Sequence, residues 1–173
     1  MKTVPILALA IVLLSPGLAQ EGTIAEHPFF ASLIGGSWTE TGEVVLPQGA
    51  TAGSSTSEAT TVLGGQWIQQ DGKATFGEAS WEWRWMFRLA TTPDGKEIVQ
   101  ARYMDTNGQV ADYLGEFVAD GNGLRLSRSL SETVRHVVMV TNQEDDGRLI
   151  EVAIVDAEGK ANVQYRALGK KDR

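Results

Sequence analysis

Apolar and polar side chains alternate in short runs through most of this chain, and turn-forming dipeptides separate the runs. Asp94-Gly95, Asn107-Gly108, Asp120-Gly121, Asp146-Gly147 and Glu158-Gly159 recur at nearly regular spacing, with one double interval whose missing turn is expected near residue 131. Glycine and asparagine reach the positive φ angles that tight hairpin turns require. We therefore predict ten strands, near residues 37–46, 56–63, 66–71, 80–90, 97–105, 109–119, 123–130, 134–142, 148–156 and 161–168.

The connections between these strands are too short for crossover helices, so consecutive strands must pair antiparallel. An open sheet of ten strands would accumulate twist and leave a long apolar face in water, whereas closure buries that face and removes the edges. The pattern thus predicts an all-β fold, an up-and-down antiparallel β-barrel of about ten strands. A two-sheet sandwich is the alternative, and it would use the segment from Pro47 to Thr56 as its long connection. In the barrel, the Gly/Ser/Thr-rich part of that segment is interpreted as mobile and near the mouth.

A short helix is predicted ahead of the strands, within residues 26–36. Pro28 lies near its first turn, apolar residues follow at helical spacing, and Gly35 and Gly36 end it. We expect this helix of two or three turns to close one end of the barrel.

The first residues have the order of a secretory signal peptide. Lys2 precedes an apolar run over residues 4–14, and small residues follow at positions 17 and 19. The run is well short of the roughly 20 residues that a membrane-spanning helix needs, so no membrane anchor is expected. We predict a signal peptide over residues 1–19, a single barrel domain over residues 20–173, and a periplasmic or secreted location.

Composition narrows the function classes. The 173 residues include no cysteine, which excludes disulfide frameworks and thiolate metal sites. The formal net charge of −7 argues against nucleic acid as a partner, because phosphate binding needs clustered lysine and arginine. No nucleophile elbow, phosphate loop or dinucleotide fingerprint occurs. No catalytic residue and no metal site are therefore predicted, and binding is favoured over catalysis.

In the segment from Ser80 to Leu89, aromatic or aliphatic residues occupy every second position, and three of them are tryptophans. Three interpretations stay open: its aromatic face fills the barrel, lines a cavity for an apolar or aromatic ligand, or lies outside around a polar lumen. Trp81, Trp83, Trp85, Phe87 and Leu89 share one face, and Glu82, Arg84, Met86 and Arg88 share the other.

Alternation supplies a candidate set of ligand-binding residues. Arg102 is included because a two-residue turn at Asn107-Gly108 would place it opposite Tyr113, with Asp112 on the other face. If the barrel were an isomerase or hydrolase, Arg102 and Tyr113 would be its polar pair. The candidate ligand-binding residues are Trp83, Trp85, Phe87, Arg102, Tyr103, Tyr113 and Phe117.

The motif Gly36-Ser37-Trp38 at the start of the first strand, together with ten meander strands, resembles the calycin superfamily of lipocalins and fatty-acid-binding-type barrels. The layout is most similar to an uncharacterised bacterial family of secreted calycin-like proteins. It also includes Gly64-Gly65-Gln66-Trp67-Ile68, the run from Arg102 to Gly108, Gly115-Glu116-Phe117 and a late Tyr165-Arg166. The resemblance implies that Trp38 plugs the closed end and that Arg166, on the last strand, packs over its indole.

The ten-strand layout also resembles nitrobindin-type barrels, in which one histidine holds a haem iron. His136 is the strand histidine that this resemblance would assign to haem, while no cofactor is the primary expectation. The function predicted is an exported, non-enzymatic barrel that binds a small apolar or aromatic molecule in its lumen. The alternative is a filled barrel that binds a protein partner in the cell envelope.

Overall fold

The computed structural model describes residues 23–47 and 49–172, and the predicted signal peptide lies outside these residues. A 3₁₀ turn (Ile24–Glu26) and one helix, α1 (Pro28–Leu33), precede ten strands. The strands are β1 (Ser37–Leu46), β2 (Gly49–Val62), β3 (Trp67–Phe76), β4 (Ala79–Thr91), β5 (Glu97–Asp105), β6 (Val110–Val118), β7 (Gly123–Ser129), β8 (Arg135–Gln143), β9 (Gly147–Val155) and β10 (Ala161–Lys171).

The ten strands form one closed antiparallel barrel. Each strand pairs with the next along the chain, and β1 pairs with β10, from Trp38 opposite Lys171 to Val44 opposite Tyr165. Closure satisfies the backbone hydrogen bonds of the two terminal strands, which an open sheet would leave unpaired. The predicted up-and-down barrel is confirmed, and the sandwich alternative is excluded.

The hairpin after β5 has a three-residue loop, and this changes the predicted register. The Asp105 N–H donates to the Gln109 carbonyl at 3.1 Å, and the Gly108 N–H donates to the Asp105 carbonyl at 3.1 Å. Gly108 has a φ of 83°, which completes a turn of the type I plus bulge kind. The loop is one residue longer than predicted, so Arg102 pairs with Asp112 and not with Tyr113.

The helix lies in one end of the barrel. His27 accepts a hydrogen bond at Nδ1 from the Phe29 N–H at 3.2 Å, which caps the first turn. Phe29, Phe30 and Leu33 are buried and belong to the same apolar cluster as the barrel interior. The predicted helix is confirmed, and we call this end the closed end. Among the described residues, no helix is long and apolar enough to cross a membrane.

Strand β2 begins at Gly49 and not near residue 56, so the Gly/Ser/Thr-rich segment is strand and the prediction of a mobile segment is wrong. Small side chains suit this position because neighbouring groups pack closely against the backbone. A Cβ added at Gly53 would lie 2.4 Å from the Phe76 ring. The segment pairs with β1 on one side and with β3 on the other.

Candidate functional site

The aromatic face of β4 points into the barrel, and it lines a cavity of about 300 Å³. Glu82, Arg84 and Arg88 lie on the outer face and are exposed. This orientation follows from the hydrophobic effect. Exposure of three indole rings to water is unfavourable, whereas three charged side chains are well solvated there. The cavity wall that β4 supplies consists of Trp81, Trp83, Trp85 and Phe87.

Ring packing holds this aromatic wall in place. Trp85 stacks on Phe87 with centroids 5.6 Å apart and planes at 11°, and it contacts Tyr103 at 5.1 Å and Tyr113 at 5.2 Å. Such offset and tilted pairs add to the free energy that burial contributes. The wall is therefore a preformed surface of fixed shape.

Gly72 makes the position of Trp83 possible. The two residues are paired between β3 and β4, and a Cβ added at Gly72 would lie 2.2 Å from the indole Cζ2. The indole therefore lies directly on the β3 backbone. A side chain at this position of β3 would push Trp83 further into the cavity.

A buried polar network forms another part of the cavity wall, from β1, β2, β3 and β9. Arg148 donates through Nη2 to a Glu40 carboxylate oxygen and, at 3.2 Å, to the Ser57 hydroxyl. The Ser55 hydroxyl donates to the other Glu40 oxygen, and Gln70 Nε2 donates to the Ser57 oxygen at 3.0 Å. Glu40 and Arg148 are each 3% exposed. Their opposite charges compensate each other inside the barrel.

The arginine that covers Trp38 is Arg148 and not Arg166. The Arg148 guanidinium lies 4.2 Å from the centroid of the Trp38 ring. Arg166 lies on the outer face, where its side chain is 60% exposed and its Nε lies 3.4 Å from the Glu151 carboxylate. In β10, Ala167 and Gly169 are buried and Arg166 alternates with them, so the pleat directs it outward.

The cavity reaches the surface at the end opposite the helix, where exposed Gln109 belongs to its lining. Near this open end the Tyr103 hydroxyl donates to Asp105 Oδ2 at 3.0 Å. Burial, and then this carboxylate, raise the pKa of Tyr103, so the phenol stays protonated. Asp105 also accepts the N–H groups of Asn107 and Gln109, which ties the carboxylate to the turn.

A second polar cluster near the open end joins β6, β7 and β8. The Tyr113 hydroxyl lies 3.1 Å from His136 Nδ1, and the Arg128 guanidinium lies 5.4 Å from the centroid of the Tyr113 ring. Burial lowers the pKa of His136, and the charge of Arg128 lowers it further. Burial raises the pKa of Tyr113. At neutral pH the cluster therefore consists of a neutral imidazole, a phenol and a guanidinium.

The structure brings together most of the predicted ligand-binding residues. Trp83, Trp85, Phe87 and Tyr103 line the cavity, and Tyr113 is buried against Trp85. Phe117 packs inward under the helix, where it stacks on His27 with centroids 3.5 Å apart. Arg102 is on the outer face, where its Nε lies 2.7 Å from the Asp112 carboxylate, because it lies between Ala101 and Tyr103 in β5, whose side chains face inward.

Sequence reasoning missed Glu40, Arg148 and Arg128, although the strand period contained the signal. Glu40 is two positions after Trp38 in β1, and Arg128 is two positions after Leu126 in β7, so each charged residue shares the face of its apolar neighbours. Charged residues on an apolar face are rarely buried unless they are paired or have a function. Among the described residues, no group of three histidine, aspartate or glutamate side chains is placed to hold a metal ion.

No protein-family model matches this sequence, and no curated protein matches it. Among solved structures, the chain is similar to the crystal structure of Rv2717c from M. tuberculosis, with a TM-score of 0.59 and 10% sequence identity. The similarity covers 83% of this chain and 94% of that chain. At this identity the likeness shows the fold alone, which is a closed ten-strand antiparallel barrel in this chain.

Proposed function

We propose that this protein binds a small aromatic or apolar molecule inside the barrel and is not an enzyme. The observation that carries the proposal is the cavity of about 300 Å³ with its wall of indole and phenyl rings. Small-molecule sites are concave, largely apolar and supplied with a few polar groups that fix orientation. The polar network around Arg148 and the cluster around His136 are such groups. A barrel that served only as a protein-binding surface would not need this space.

The size of the cavity favours a ligand of one or two rings. Small-molecule sites span roughly 300–1,000 Å³, and this cavity is at the lower end of that range. Haem does not fit well, because a tetrapyrrole with its side chains is much larger than such a ligand. We therefore do not propose haem as the occupant.

A calycin-like origin of the barrel is part of the proposal. It is supported by Trp38, whose indole N–H donates to the Leu33 carbonyl at 3.2 Å at the closed end, and by the arginine that covers the indole. Arg148, on β9, takes the part that the resemblance assigned to Arg166 on β10.

Ligand binding can be tested by titrating the intrinsic tryptophan emission with 1-naphthamide, a neutral two-ring probe. We expect saturable quenching, because Trp81, Trp83 and Trp85 line the cavity. Ala74 also lines the cavity, and Ala74→Leu should weaken binding at least about tenfold by filling the space. The matched control is Thr75→Leu, which adds apolar volume to the exposed outer face of the same strand.

Near-UV circular dichroism would check that Ala74→Leu keeps its fold, and Val140→Phe offers a second way to fill the cavity. Equal affinity in wild type, Ala74→Leu and Val140→Phe would place the probe outside the barrel. That result, or no quenching at millimolar concentration by either naphthamide or the corresponding carboxylate, 1-naphthoate, would overturn the proposal.

We also propose that the protein acts in the periplasm or outside the cell after removal of residues 1–19. The support is the order of the charged residue, apolar run and small residues in the first segment. Expression of the full chain in a bacterium, followed by amino-terminal sequencing of the periplasmic fraction, tests this. We expect Gln20 as the first residue, and recovery of the uncleaved chain from the cytoplasm alone would contradict the proposal.

A further inference from the structure

Arg128 lies on the inner side of β7 near the open end, and it is the basis of an inference about the ligand, which rests on the proposed function. Its neighbours at the same pleat positions, Leu124 and Leu126, line the cavity. Across the strand pair it lies opposite His136, which also lines the cavity. The guanidinium is thus held among residues that face the lumen.

This guanidinium has no carboxylate partner. Within the described part of the chain, no ion pair within 4.0 Å includes Arg128. Its Nε is buried and has no hydrogen-bond acceptor. A buried donor without an acceptor destabilises a fold unless something else, such as a ligand, satisfies it. Tyr113 contacts the guanidinium through its ring and its hydroxyl, but a neutral phenol supplies no counter-charge.

Among the described residues, the other charged groups that point inward have a counter-charge or hydrogen-bond acceptors and donors of their own. Arg148 also has a buried Nε without an acceptor, but Glu40 compensates its charge. Lys171 donates at the closed end to the carbonyls of Ser32 and Ile34 at 3.0 and 2.8 Å. Asp105 accepts three hydrogen bonds near the open end. In the part of the chain that the structure describes, Arg128 is therefore the inward-facing cation without a counter-charge.

We propose that the ligand is a small aromatic carboxylate whose rings contact the tryptophan wall and whose carboxylate pairs with Arg128. The planar guanidinium offers donors in the geometry that a carboxylate accepts. The Tyr113 hydroxyl and the His136 ring lie beside it and can complete the hydrogen bonds of the ligand oxygens. The missing counter-charge at Arg128 is then supplied by the ligand.

The test compares two probes of nearly the same shape, 1-naphthoate and its neutral amide 1-naphthamide, by tryptophan quenching and calorimetry at pH 7.5. We expect wild type to bind the naphthoate at least about tenfold more tightly than the amide, since hydrogen bonds to charged groups are strong. Arg128→Gln should abolish this preference and leave the affinity for the amide nearly unchanged. Arg128→Lys, which keeps the charge, should retain part of it.

The matched control is Arg125→Gln on the outer face of the same strand, where Arg125 lies 3.4 Å from Glu116. This variant should keep the full preference for the naphthoate. If wild type binds both probes equally, or if Arg128→Gln keeps the preference, the inference about Arg128 is wrong while ligand binding stands. If neither probe binds wild type, the proposed function itself fails.

Discussion

The guanidinium of Arg148 lies 4.2 Å from the centre of the Trp38 ring, inside the barrel and near the helix. The same guanidinium pairs with Glu40, and both charged residues are almost completely shielded from water. The pair therefore joins β1 to β9, two strands that are not neighbours, since β10 lies between them. The ion pair is thus a side-chain contact between these two strands on the inner face of the barrel, near its closed end.

Arg148→Met should lower the free energy of unfolding by about 3–5 kcal/mol, because it leaves the Glu40 carboxylate buried without its counter-charge. Urea-induced unfolding at pH 7 measures this loss. Arg166→Met is the matched control, because that arginine is on the exposed outer face of β10 and should leave the midpoint nearly unchanged.

Removing both partners gives a second prediction for the same network. The double variant Glu40→Leu/Arg148→Met should be more stable than Arg148→Met alone, because no unpaired charge remains inside the barrel. A double-mutant cycle from urea unfolding gives the coupling between the two side chains. Additive losses in that cycle would mean that the ion pair does not contribute as a unit.

Gly72→Ala should destabilise the barrel by about 1–3 kcal/mol, because the new Cβ would meet the Trp83 ring at 2.2 Å. Displacement of the indole into the cavity should also change the tryptophan emission and weaken naphthamide binding. Lys73→Ala, at the next and outward-facing position of β3, serves as the control. Unchanged emission in Gly72→Ala would show that Trp83 does not depend on this glycine.

Stability should fall as the pH decreases below about 6.5, the ordinary pKa of histidine. Burial lowers the pKa of His27 in the folded state, although Glu97 partly opposes this, so the unfolded chain binds protons more readily. Protonation also removes the Nδ1 acceptor that caps the helix. The stabilising contribution is therefore complete above pH 6.5 and is lost as the pH falls through the lowered pKa.

The variant His27→Asn isolates this effect, because asparagine caps helices without titrating in this range. Thermal unfolding between pH 5 and pH 8 should show a smaller pH dependence in His27→Asn than in wild type. The remaining dependence is expected from His136, whose pKa is also lowered. Identical pH profiles for the two proteins would rule out a role for His27.

Arg102→Ala should leave naphthoate and naphthamide affinities unchanged, because this arginine is exposed on the outer face of β5, where it pairs with Asp112. The same titrations as above measure this. A loss of naphthoate binding in Arg102→Ala would return this residue to the ligand-binding set in which the sequence placed it.

The strand period and the spacing of turn glycines were sufficient to predict ten antiparallel strands and their closure, and Pro28, the apolar residues after it and Gly35-Gly36 were sufficient to predict the short helix. These features are local or follow from the need to bury one face of every strand. An inward direction of Trp83, Trp85 and Phe87 was among the predicted alternatives, because one face of each strand must be buried. The free energy gained by burying their apolar area favours this direction over the outward one.

Register across each hairpin and contacts across the barrel depended on the tertiary structure. One additional residue in the turn at Gly108 paired Arg102 with Asp112 instead of Tyr113, and a sequence pattern does not distinguish such turns reliably. Arg148, and not Arg166, packs on the Trp38 ring, and this contact depends on how β9 and β10 lie relative to β1 after closure. Hydrophobic alternation determines which face of a strand is buried, but only closure of the barrel determines which buried side chains meet.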